Sequence, residues 1–144
     1  MTLKRLLTLI GEMGYNQHLI NYSAAGTSME QINGIEVEWY PMLFSSPTGT
    51  HQVQQNTITY DITLYYLDRL LPDYSNDIDI FSSAISNLQN LVNGIRSIPG
   101  VLEVLDNYTI RNFTNTEKMN DSLAGAYAQI KIKVALDDLC VDED

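Results

Sequence analysis

The stretch NTITYDITLYYLDR, Asn56–Arg69, alternates between two kinds of side chain. Ile58, Tyr60, Ile62, Leu64 and Tyr66 fall on one side, and Thr57, Thr59, Asp61, Thr63, Tyr65 and Leu67 on the other. A period of two belongs to a β-strand. Residues 57–68 therefore read as a strand with one apolar face for a core. Its second, semi-polar face is either solvated or meets a partner.

Downstream, RLLPDYSN (69–76) is a connection broken by Pro72, and the period then lengthens. Ile78, Phe81, Ile85, Leu88, Val92 and Ile95 recur at spacings of three and four, widened by Ala84 and Leu91, which predicts a core-facing helix over about 77–97. Asn76 or Asp77 caps its start, and Asp77 and Asp79 suit the positive end of its dipole. At ~1.5 Å per residue it spans roughly 30 Å, enough to cross a four-stranded sheet. Pro99-Gly100 ends it, and 101–105 is a short strand or part of that turn. Residues 107–114 read as a strand, 115–121 as a polar turn, and 122–136 as the last strand. There Ala124, Ala126, Ala128, Ile130, Ile132, Val134 and Leu136 face inward, and Gly125, Tyr127, Gln129, Lys131 and Lys133 face outward. An acidic tail, 137–144, follows.

Upstream, Leu3, Leu6, Leu7, Ile10 and Met13 line one face of a helix over 2–13 that begins at Met1 or Thr2, with Gly14 placed as its stop. Residues 15–22 are a short strand or an irregular connection, and 23–34 read as a loop. Ile35, Val37 and Trp39 then alternate with Glu36, Glu38 and Tyr40, a half-buried strand with an acidic outer face and Trp39 in the core. Pro41 confines that strand to an edge, a bulge or a strand end. Residues 44–56 form a long polar connection around Pro47 and Gly49, readable as the tip of an extended hairpin. The expected architecture is a single α+β domain over 1–144, a mostly antiparallel four-stranded sheet with two helices packed on one face and long hairpin or loop extensions.

Composition narrows the chemistry. Eighteen acids against eight bases give a net charge of −10, too acidic for tight binding to DNA, RNA or anionic membranes. The single cysteine, Cys140, excludes an internal disulfide and sits among tail carboxylates that lower its reactivity. His18 and His51 lack ligand spacing and a catalytic partner. Asp73, Asp77 and Asp79 imitate a calcium loop, but Ile78 stands at its sixth position and Ala84 at its twelfth, so a capped helix start explains them better. No phosphate loop or nucleophile elbow is present. No apolar run approaches a membrane span, and the first residues lack the pattern of a secretion signal. The residues point to an interaction or structural protein without catalytic, cofactor or metal site. The nine tyrosines suit core and interface.

The order of elements, the segment 56–69, the Asp-capped helix 77–97 and the run NDSLAGAYAQIKIKVALDDLC (120–140) resemble the neck proteins of tailed bacteriophages. The likeness is to tail-terminator or tail-completion subunits, above all those of phages of Bacteroidetes hosts. In these an Asp-x-Leu-Ala-Gly segment (here Asp121, Leu123, Ala124, Gly125) leads an alternating strand that ends near a cysteine, here Cys140. The resemblance implies a non-enzymatic virion protein, made in the host cytoplasm, that forms a ring of six or twelve copies joining head to tail. Portal, adaptor or other neck proteins and tail proteins would be its neighbours, with genomic DNA passing through unbound. Interface candidates are Glu36 and Glu38, the hairpin segment Thr48, Gly49, Thr50, His51, Gln52 and Val53, and Asp121. The alternative is a small-molecule-binding module or enzyme using the sheet face around Asp61, Thr63 and Tyr65. A DNA-mimicking regulator ranks below both, because the acids cluster only in the tail.

Overall fold

A computed structural model of the chain describes residues 1–27, 39–47, 49–71, 73, 75–105, 107–115 and 123–136. Two helices, α1 (Leu3–Asn16) and α2 (Asp77–Ile95), accompany strands β1 (Tyr22–Ala25), β2 (Met42–Pro47), β3 (Gln52–Gln54), β4 (Thr57–Arg69), β5 (Val101–Val104), β6 (Ile110–Asn115) and β7 (Leu123–Ala135). The fold is α+β, but the expected four-stranded, mostly antiparallel sheet is wrong. Among the described residues the sheet has seven strands in the order β1-β2-β4-β7-β5, with β3 beside β4 and β6 beside β7, and it is mixed because β1 runs parallel to β2.

The extra strands exist because β4 and β7 are each 13 residues long. Each takes two short partners end to end along its outer edge. On β4, β3 pairs with Thr57–Thr59 and β2 with Ile62–Leu67. On β7, β6 pairs with Leu123–Ala128 and β5 with Ile132–Val134. Such short strands are held by backbone hydrogen bonds and carry little hydrophobic alternation. That is why YSAA at 22–25, most of MLFSSP at 42–47 and QVQ at 52–54 read as connections.

Both helices lie on one sheet face, as the pattern predicts. Leu6 and Ile10 of α1 and Ala84, Leu88, Val92 and Ile95 of α2 pack over Tyr60, Ile62, Leu64 and Tyr66 of β4 and the inward residues 126–134 of β7. Three alanines at the start of β7 (124, 126 and 128) are fully buried, and their small size lets α2 approach the sheet. On the opposite face, Met42, Phe44, Leu67 and Leu123 form a second buried cluster.

Three local expectations are corrected. Helix α1 runs past Gly14 to Asn16: a Cβ at Gly14 would lie 2.7 Å from Ile20 Cδ1, so this glycine permits close packing and does not stop the helix. Reversal comes instead at His18, with φ 59°. In α2 the buried stripe is Ile80, Ala84, Leu88, Leu91, Val92 and Ile95, whereas Ile78 is 71% and Ile85 37% exposed. The helix carries apolar residues over too wide an arc to bury them all, and the part of the arc centred on small Ala84 meets the sheet. Trp39 is 40% exposed and stacks on Tyr22 at 4.7 Å; it is not in the core. The partner residues expected on its strand, 35–38, lie outside the described residues.

The helix caps divide. Thr2 Oγ1 accepts from the Arg5 N–H at 3.1 Å, a side-chain N-cap. Asn76 occupies the N-cap of α2 but ties down the connection before it, accepting from Leu71 N–H at 2.9 Å and donating to the Arg69 carbonyl at 3.1 Å.

Candidate functional site

Tiling two long strands with short ones leaves two gaps. On β4 the gap falls at Tyr60 and Asp61, between the stretches paired with β3 and β2. On β7 it falls at residues 129–131, between the stretches paired with β6 and β5. Asp61 and Lys131 are direct cross-strand partners, so the two gaps lie at one level on the helix-free face.

Each gap is filled differently. On the β4 side His51 enters: its Nδ1 accepts the Asp61 backbone N–H at 3.2 Å and its ring meets Tyr60 edge-on at 5.4 Å. On the β7 side the Leu105 N–H donates to the Lys131 carbonyl at 3.0 Å. Between them the Gln129 amide donates to both carboxylate oxygens of Asp61, at 3.0 and 3.1 Å. Asp61 is 8% exposed, and this amide is one of the partners that make its burial tolerable.

Two cavities flank this centre. The smaller, about 280 Å³, is lined by Thr50, His51, Gln52, Thr59, Asp61 and Lys131. The larger, about 730 Å³, runs from Leu105 and Tyr108 across Arg111 and Tyr127 to Lys131, which borders both. Along β4 and β7 toward Arg69 and Leu123 the same face becomes aromatic. Tyr65 stacks on Tyr127 at 5.5 Å, and Phe113 meets both rings edge-on. Burial, and secondarily the neighbouring Tyr127, pushes the Tyr65 hydroxyl above its ordinary pKa. A third cavity, about 480 Å³ and largely apolar, opens between α1 and β1 along Leu3, Leu7, Gly11, Tyr15 and Ala24.

Of the residues singled out from sequence, Thr50, His51 and Gln52 line the smaller cavity. Gly49 and Val53 are exposed nearby, Val53 on β3. Glu36, Glu38, Thr48, Asp121 and Cys140 lie outside the described residues. Asp61, Thr63 and Tyr65 do share one face, with Asp61 and Thr63 buried. Sequence reading missed the grouping of Gln129, Lys131 and Arg111 with Asp61. The outward alternation of β7 was the available signal, but its register against β4 was needed to use it.

His51 is held in place through Nδ1, which accepts the Asp61 backbone N–H. Among the described residues no cluster of three His, Cys, Asp or Glu side chains could hold a metal ion. No helix among them is long and apolar enough to cross a membrane. No protein-family model matches the chain, and no curated protein matches it.

Proposed function

We propose that the chain is a structural ring subunit of a tailed-phage neck, joining head to tail around the DNA channel. It would be made in the host cytoplasm and built into the virion beside portal, adaptor or tail proteins. The resemblance of 56–69, 77–97 and 120–140 motivates the reading; β4, α2 and β7 fall within those segments.

The observation that carries it is a pair of unlike apolar surfaces on opposite flanks of the helical layer. Gly94 of α2 faces Met13 and Gln17, so α1 sits on that flank. At 3.6 residues per turn, Ile78, Phe81 and Ile85 stand roughly opposite Gly94, on the flank turned away from α1. There Ile78 and Ile85 are exposed. Beyond α1, on the other flank, lies the 480 Å³ apolar groove against β1. A ring closes through heterologous contacts, in which one surface of each copy meets a different surface of the next. A ridge on one flank and a groove on the other meet that requirement.

Native mass spectrometry across a concentration series, alone and with a portal ring, tests it. A closed species of six or twelve subunits is expected, and Ile78→Ser combined with Ile85→Ser should dissociate it while circular dichroism stays unchanged. A monomer under every condition overturns the reading.

The small cavity at His51, Asp61 and Lys131 favours a second reading, a small-molecule-binding module. Reproducible thermal shifts from metabolites or metals, lost in Asp61→Asn, would support it. A ring with no such shifts decides for the first.

A further inference from the structure

We propose that the 730 Å³ groove between the β5–β6 connection and β7 binds a nucleotide, a small phosphate-bearing ligand with a flat aromatic base. This holds whether or not the chain forms a ring. Arg111 and Lys131 are two of only eight basic residues in a chain of net charge −10, and both line this groove. None of the described residues lining it is acidic. Arg111 lies opposite Tyr127, and Lys131 follows four residues later on the same strand face. At ~3.3 Å per residue, Tyr127 and Lys131 are roughly 13 Å apart along β7, with Gln129 between them and Arg111 beside Tyr127.

Each lining group matches one part of such a ligand. The guanidinium and ammonium supply charge-assisted hydrogen bonds to phosphate oxygens. Tyr127 is held against Tyr65 at 5.5 Å, a fixed platform, and with Tyr108 it offers aromatic surface to a base. The Gln129 Nε2 is committed to Asp61, and Asn107, Thr109 and the hydroxyls of Tyr108 and Tyr127 supply neutral hydrogen-bonding groups. The groove is walled by the β5–β6 connection, and its volume falls within the range that encloses one small ligand.

Isothermal titration of the full chain with AMP, adenosine, inorganic phosphate and an oligothymidylate tests this. AMP should bind, more weakly as salt is raised, and more tightly than adenosine or phosphate. Arg111→Gln and Lys131→Gln should each weaken it by about tenfold or more, the loss of one charged hydrogen bond. Arg5→Gln, on the exposed start of α1, should leave it unchanged, and all three variants should keep the parent's melting temperature. No heat at millimolar AMP, or affinity indifferent to Arg111→Gln and Lys131→Gln, overturns the proposal. Phosphate binding as tightly as AMP removes the base from it, and tighter binding of the oligonucleotide replaces it with a nucleic-acid surface.

Discussion

Asp61 and Lys131 face each other on β4 and β7, and each stands where the outer edge of its strand passes from one short partner to the next. The polar centre of the molecule is thus a by-product of how the sheet is assembled. Thirteen-residue strands need support along their whole length, and partners of three to six residues cannot supply it without a break. At the breaks the backbone is satisfied by other means, His51 on one side and Leu105 on the other, and cavities form beside them.

The Gln129–Asp61 contact is the first point at which this centre can be tested. Gln129→Glu would set a second carboxylate against Asp61 in place of a donor amide. One of the two acids would then hold its proton more tightly in the folded state than in the unfolded. The penalty would therefore be present at neutral pH and vanish as pH falls through the carboxylate range, near ~4–5. A loss of roughly 1–3 kcal/mol at pH 7 is expected, recovered in acid. Chemical denaturation of parent and variant at pH 7 and pH 4 reads it, and equal stability at pH 7 would show that the amide contact contributes nothing.

Ser45 gives the opposite kind of prediction. It is 1% exposed on β2, and its hydroxyl has no hydrogen-bond partner among the described residues. A hydroxyl buried without a partner costs free energy that alanine does not incur. Ser45→Ala should leave stability unchanged or raise it by up to ~1 kcal/mol. A drop in melting temperature would reveal a partner for the hydroxyl in solution.

Gly125 and Gly49 should respond in contrasting ways to alanine. A Cβ at Gly125 would overlap the Tyr66 carbonyl, so β4 and β7 would have to separate at the sheet centre. A Cβ at Gly49 would meet no atom within 4 Å. Gly125→Ala should cost roughly 2–4 kcal/mol and Gly49→Ala less than about 0.5 kcal/mol. Thermal unfolding of the two variants compares them, and near-equal effects would mean that the strands yield easily at Gly125.

The same glycine shows what the sequence makes legible. Gly125 interrupts an alternating strand, and the alternation alone places it on the outward face of β7. The contact that demands glycine depends on pairing with Leu67, 58 residues away, which no local pattern encodes. Likewise α1, α2, β4 and β7 were readable because they are long and periodic, whereas β1, β3 and β5 are held by backbone pairing with little side-chain signature. At Ile78 and Trp39 hydrophobicity suggests burial, but the structure leaves both exposed. The outward residues of β7 were identified; that they converge with Asp61 and Arg111 follows from register, and register is a tertiary property.

Asp68 yields the last prediction, and its sign comes from burial. It lies opposite Ala124 on the helix-bearing face of β4. Burial holds its carboxyl above the ordinary pKa, and the Arg69 N–H, donating to Oδ1 at 2.8 Å, offsets only part of that effect. The folded protein therefore binds this proton more tightly than the unfolded chain does. Ionisation of Asp68 costs stability, and the cost appears as pH rises through the range between the unfolded and folded pKa values. An asparagine at this position keeps an acceptor for the Arg69 N–H without the charge. Asp68→Asn should therefore raise the melting temperature at pH 7, and the advantage should shrink as pH is lowered and the native carboxyl takes up its proton. Parallel melts of the parent and Asp68→Asn from pH 4 to pH 8 measure the difference. An advantage that is constant with pH would place its origin in packing and not in the buried charge.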